Sequence, residues 1–229
     1  NDAGSLDLVV DVVGWVPEVS GVEAVVPSRL LDTRDESSRV GAGESVELPV
    51  LDRGGVPATG VGSVLLNVTA TTVTETSFVT VWPTGDDRPL ASSLNPVPRQ
   101  KSANLVLVGV GTDGSISLYN DAGSLDLVVD VIGWVPADSG VTAVVPSRLL
   151  DTRDEPSRVG AGESVVLPVL DRGGVPASGV GSVLLNVTAT TVTETSFVTV
   201  WPNGDDRPLA SNMNPAPGRK TAVLVLAGV

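Results

Sequence analysis

One feature constrains this chain of 229 residues more than any other: it is written twice. Residues 1–110 recur without a gap as residues 120–229, so that Trp15 matches Trp134 and Trp82 matches Trp201. The offset stays at about 119 residues and roughly 85% of positions are identical, a period of domain size rather than that of a solenoid unit. A repeat of that length can bury a core of its own. Duplication on this scale suits a spacer, a fibre or a multivalent binder, because a chemical site gains little from a second copy in series.

The local signals are β almost throughout. In residues 63–73, Val64, Leu66, Val68 and Ala70 alternate with Asn67, Thr69 and Thr71, which places an apolar and a polar face on one strand. Residues 77–82 form a second strand after the polar Thr74-Glu75-Thr76 turn, and the pair reads as a hairpin. Residues 104–108 and 115–119 flank Gly111-Thr112-Asp113-Gly114, and Asp-Gly is a strong hairpin signal. The stretch 125–132 then extends the pair to a three-strand meander. Further strands are expected at 28–34 and 45–50. No segment spaces its apolar residues by three and four over ten positions, so almost no helix is expected. Many short strands with Gly/Pro turns predict an all-β fold of tandem antiparallel β-sandwich modules, jelly-roll or Ig-like.

The copies also locate the module boundaries. Substitutions fall side by side at Glu18 (Ala137) and Val19 (Asp138), within a Pro/Ser/Gly stretch that reads as a linker. On this frame 22–136 is a complete module. Residues 1–17 are the terminal strand of a preceding one, and 141–229 is a second module without its last two strands. The chain thus reads as a piece of a longer protein, with sheet edges open to pairing.

Composition narrows the chemistry. A net charge of −13 opposes binding to nucleic acid or to anionic lipid, and no apolar run is long enough for membrane insertion. There is no Cys, so no disulfide framework, and no His, so neither a Ser-His-Asp nor a Cys-His site exists. Lys101 and Lys220 are the only lysines. Abundant Thr, Ser, Gly, Val and Pro suit an extracellular β protein.

Seven motifs follow one another in a fixed order. They are Ser28-Arg29-Leu30-Leu31-Asp32-Thr33-Arg34, Gly54-Gly55-Val56-Pro57-Ala58, Leu66-Asn67-Val68-Thr69-Ala70 and Val79-Thr80-Val81-Trp82-Pro83. Then come Arg88-Pro89-Leu90-Ala91-Ser92, Ala103-Asn104-Leu105-Val106 and Val129-Asp130-Val131-Ile132-Gly133-Trp134. The series resembles a β-rich accessory module of secreted actinobacterial proteins, which is attached to hydrolases or strung in tandem. The resemblance covers essentially the whole chain and implies secretion and an accessory, non-catalytic role. The second copy departs from it where Val223 replaces Asn104.

Few residues are candidates for a site. Trp82 and Trp201, each before a Pro at a strand end, would stack on a sugar ring if exposed, or close the core if buried. Asp86, Asp87 and Arg88, together with Asp32 and Arg34, would form a calcium site or polar ligand patch, or else an internal ion pair with an arginine forked onto a carboxylate. No cofactor is expected beyond that calcium. Trp15 and Trp134, with Leu6, Leu8 and Val10, are assigned to contacts between modules. Lys101 lies in a polar turn, unsuited to an isopeptide staple.

The expected role is structural and non-enzymatic: an extracellular or cell-surface repeat module that builds a stalk, fibre or filament. Its partners would be copies of itself, end to end or by strand addition. The alternative is a carbohydrate-binding or adhesive module acting by avidity on cell-wall or extracellular polysaccharide.

Overall fold

The computed structural model describes residues 21–35, 38–111, 113–153 and 158–229. Among the described residues nine strands are present, all paired antiparallel, and no helix occurs. None of these residues therefore forms an apolar helix long enough to cross a membrane.

The first copy holds seven strands: β1 (Glu23–Asp32), β2 (Glu44–Pro49), β3 (Val61–Thr71), β4 (Val79–Pro83), β5 (Ser102–Gly109), β6 (Ser115–Asn120) and β7 (Asp126–Pro136). They divide by parity. The odd strands form one sheet in the order β1-β7-β3-β5, and the even strands form another in the order β2-β6-β4. Every connection between consecutive strands therefore crosses from one sheet to the other.

This corrects the hairpins expected from sequence. β3 does not pair with β4, nor β5 with β6, nor β6 with β7; β3 pairs with β5 and β7, and β6 with β2 and β4. The Asp-Gly turn itself is present. Gly114 takes a positive φ of 79°, its N–H donates to the Gly111 carbonyl at 3.0 Å, and a Cβ on Gly111 would meet the Thr84 carbonyl oxygen at 2.2 Å. Such a reversal turns the chain back, but it does not choose which sheet receives the returning strand. That choice is made by burial of the apolar faces of both neighbours.

Those faces meet in one aliphatic core. Val64, Leu66, Val68 and Ala70 of β3 are fully buried, as the alternation in sequence requires. Val129 and Val131 of β7 join them from the same sheet. Leu48 of β2, Val79 and Val81 of β4, and Ile116 and Leu118 of β6 come from the other. Short branched side chains fill the interior of a chain with very few aromatics.

The last two strands of the copy, β6 and β7, are central in their sheets. β7 is the only partner of β1, and β6 is the only partner of both β2 and β4. The second copy displays the consequence. Its described residues form a single pair, β8 (Ser182–Ala189) with β9 (Thr221–Gly228). These are the counterparts of β3 and β5, and the register is conserved: Ser182 faces Gly228 as Ser63 faces Gly109. β3–β5 is the one ladder in the first copy that needs neither β6 nor β7. The counterparts of β1, β2 and β4 have nearly the same sequences but no ladder partner among the described residues, and none of them is a strand.

Candidate functional site

The polar residues that stand out in the sequence are brought together mainly to hold the strands. Arg34 forks onto Asp32, with Nε donating to Oδ1 at 2.7 Å and Nη2 to Oδ2 at 2.5 Å. Arg29 donates from Nη1 to Asp32 Oδ2 at 2.7 Å and from Nε to Asp130 Oδ1 at 2.5 Å, on the paired strand β7. The fork of Arg34, aided by Arg29, holds the Asp32 carboxyl down at about 2. The same bonds raise both guanidiniums, Arg29 chiefly through Asp130 and Arg34 through Asp32. This is the internal ion pair weighed from sequence.

The fork is local in sequence, so it survives where the sheet does not. In the second copy Arg153 donates to Asp151 Oδ1 at 2.8 Å and Arg148 to Oδ2 at 3.0 Å, and Asp151 is held well below the usual carboxylate range by Arg153. The cross-strand bond to an Asp130 counterpart is missing from it, since that bond needs the β7 strand.

Two further buried groups lock the end of the first copy. Asp126 accepts from the hydroxyls of Thr33 and Thr72, with Arg39 at 3.6 Å. Asn120, fully buried, donates from Nδ2 to the carbonyls of Val40 and Gly41 at 3.1 Å and of Gly123 at 3.3 Å. Its Oδ1 accepts from Ser77 Oγ at 2.7 Å. One side chain thus ties three loop carbonyls together, its two N–H groups shared among them; Val40 O also accepts from the Leu125 N–H and Gly41 O from the Glu44 N–H.

Trp82 is only 7% exposed, and its Nε1 donates to the Asp86 carbonyl at 3.0 Å. Trp201, half-buried, makes the same bond to Asp205 at 3.1 Å. The ring of Trp82 is therefore covered, on the face of β4 opposite the core residues Val79 and Val81, and pins the following turn; it offers no open face for a sugar. Asp86 and Asp87 are exposed on that turn, and the Arg88 guanidinium lies 3.8 Å from the centre of the Tyr119 ring, a cation–π contact rather than a fork onto an acid. Among the described residues no group of three or more acidic side chains is placed to hold a metal ion.

Trp134, assigned from sequence to a contact between modules, sits in β7 opposite Glu23 and Val64 and packs against the core of its own copy. Trp15, Leu6, Leu8 and Val10 lie outside the described residues. Lys101 is exposed.

The described contacts between copies are an Arg148 Nη2 bond to Leu90 O at 3.3 Å and a cluster around Asn104 at the edge of β5. Asn104 Nδ2 donates to Ser93 O at 2.9 Å within the copy and to Asn186 Oδ1 of β8 at 2.8 Å. Its Oδ1 accepts from the Leu224 N–H of β9 at 3.2 Å, and Asn186 Nδ2 returns a bond to Ser92 O at 2.6 Å. Sequence reasoning gave Asn104 no role. The available signal was that the copies differ there: Val223 could not make these bonds, so a junction built this way cannot recur unchanged at the next repeat.

The second copy leaves its half-core open. Leu150 is 43% exposed where Leu31 is 7%, and Val159 is 51% exposed where Val40 is 1%. Val165 and Leu170, whose counterparts Val46 and Leu51 pack against the first core, are exposed as well. The chain matches no protein-family model, and no curated protein is significantly similar to it.

Proposed function

We propose that the chain belongs to a non-enzymatic, extracellular bacterial surface protein whose tandem β-sandwich modules build a stalk, fibre or filament. Two sheets lie over one aliphatic core in the complete copy, and strand completion links one module to the next. The observation that carries this reading is the open half-core of the second copy. Its proper cover is visible in the same chain, because β6 and β7 occupy the equivalent place in the first copy. A surface that is roughly 85% matched to a known acceptor has a known donor: a β6–β7 pair, from sequence continuing the polypeptide or from a neighbouring copy.

The topology sharpens what a donor must bring. Residues 7–17 repeat the β7 sequence with one change, Val13 for Ile132, but the sequence holds only one β6 segment. A strand donated from 7–17 of another chain would pair the β1 counterpart and extend β8–β9 to a four-stranded sheet. It would leave the β2 and β4 counterparts without a partner. Complete closure needs both strands.

The test is a peptide of residues 111–136 added to the full chain. Binding is expected to protect the amides of residues 142–151, 163–168 and 198–202 from hydrogen exchange, and a peptide of residues 124–136 alone should protect only the first of these segments. If the long peptide fails to bind, or protects none of the three, strand completion is wrong.

A further inference from the structure

The geometry points to a binding site for an acidic glycan in the cleft between the two copies. The cleft is open to solvent on one side, has a volume of about 180 Å³, and is lined by Lys101, Arg219 and Lys220 with no acidic side chain among its walls. Carboxylates outnumber cations in this chain 27 to 14, so three cations without a counter-charge depart from the composition around them. Both lysines of the protein are there. None of the three side chains forms an ion pair among the described residues.

The repeat explains how the charges meet. Arg99-Gln100-Lys101 and Gly218-Arg219-Lys220 are the same turn of the two copies, each leading into its outer strand, β5 or β9. The Asn104 bonds to Asn186 and Leu224 set those edges side by side and bring the two turns to one cleft. Like charges held together repel unless an anion lies between them.

A second observation is independent of charge. Asn95 lines the same cleft, is 9% exposed, and has its Oδ1 bonded to Ser92 Oγ at 3.3 Å, while its Nδ2 donates to nothing. A buried donor without a partner costs about 1–3 kcal/mol, and turning this amide towards an acceptor bound beneath the cations would satisfy it.

The other walls decide the ligand class. Gln100, Ser102 and Thr221 add amide and hydroxyl groups suited to sugar hydroxyls, and no aromatic ring lines the cleft to stack on a base or a neutral sugar face. The opening admits one sugar-sized unit of a longer chain. The recognised group is the carboxylate or phosphate of that unit. The net negative charge of the protein does not forbid this, because at physiological salt fields are screened beyond about 8 Å and the local cluster dominates.

This site is independent of strand completion, and either can fail without the other. Calorimetric titration of the full chain in about 0.15 M salt with an oligogalacturonate, an oligomeric glycerol phosphate and a neutral oligogalactose is the test. At least one acidic oligomer should bind and the neutral one should not; the tighter acidic oligomer identifies carboxylate or phosphate as the source. The double variant Lys101→Gln/Lys220→Gln changes two exposed side chains, keeps the fold by circular dichroism, and should weaken binding at least about tenfold. No binding of either acidic oligomer, equal binding of the neutral one, or binding indifferent to the double variant would each overturn the assignment.

Discussion

The two copies offer a controlled experiment in core burial, since the same leucine occupies the same strand in both. Leu66 of β3 is fully buried, whereas its counterpart Leu185 of β8 is only half-buried because the opposing sheet is missing. Truncating Leu66 to Ala removes a side chain whose full burial is worth about 1.5–3 kcal/mol, and the cavity left in a two-sided core brings the cost to about 2–5 kcal/mol. Truncating Leu185 removes a side chain already wetted on one side, at a site where water fills the space, so the cost should stay below about 1 kcal/mol. Urea denaturation, followed by hydrogen exchange on each copy, reads both. With a slope of about 1–2 kcal/mol per M for a domain of this size, Leu66→Ala should move the midpoint of the first copy down by about 1–5 M. Leu185→Ala should leave that midpoint in place and change the second copy only slightly. Adding the peptide of residues 111–136 should make Leu185→Ala costly, because the peptide supplies the missing half of the core. Equal shifts from the two substitutions in the unaided chain would refute the reasoning, since Leu185 would then lie in a finished core.

The polar contacts lead to two further outcomes. Asn104→Val, which installs the residue the second copy carries at Val223, should free Asn186 and the Leu224 N–H; the copies should separate, seen as a broader distance distribution in small-angle scattering, with a loss of about 1–3 kcal/mol in the first copy from the unpaired Ser93 carbonyl. An unchanged scattering profile would show that the bonds do not set the junction. Asp32 has a folded pKa of about 2, below its unfolded value, so its contribution is present in full above the ordinary carboxylate range and is lost as pH falls from about 4 towards 2. The stability difference between the protein and Asp32→Asn should therefore be constant above pH ~5 and shrink across that window; a difference that persists unaltered to pH ~2 would remove the ion pair as its cause.

Much of this protein is legible in the order of its residues, because the signals are local. The alternation of Val64, Leu66, Val68 and Ala70 fixes which face of β3 is buried, and Asp113-Gly114 fixes a reversal after β5. The Asp32–Arg34 fork needs only neighbours along the chain, which is why Asp151 and Arg153 repeat it without a strand. The repeat itself, read as modules in shifted register, comes from sequence alone. The choice between sugar platform and core plug for Trp82 does not, since both readings need the same residue at the same strand end.

Tertiary structure decided what lies between distant segments. Which strand pairs with which, the separation of odd from even strands, and the central places of β6 and β7 depend on apolar faces finding each other across the whole copy. A turn reports only that the chain reverses. Asn104 acquires its partners, and the two cationic turns their shared cleft, through residues about 80 to 120 positions apart that no window of sequence contains. The repeat determined that the second copy has the means to fold like the first. The placement of the last two strands at the centre of both sheets determined that, among its described residues, only one pair of strands does.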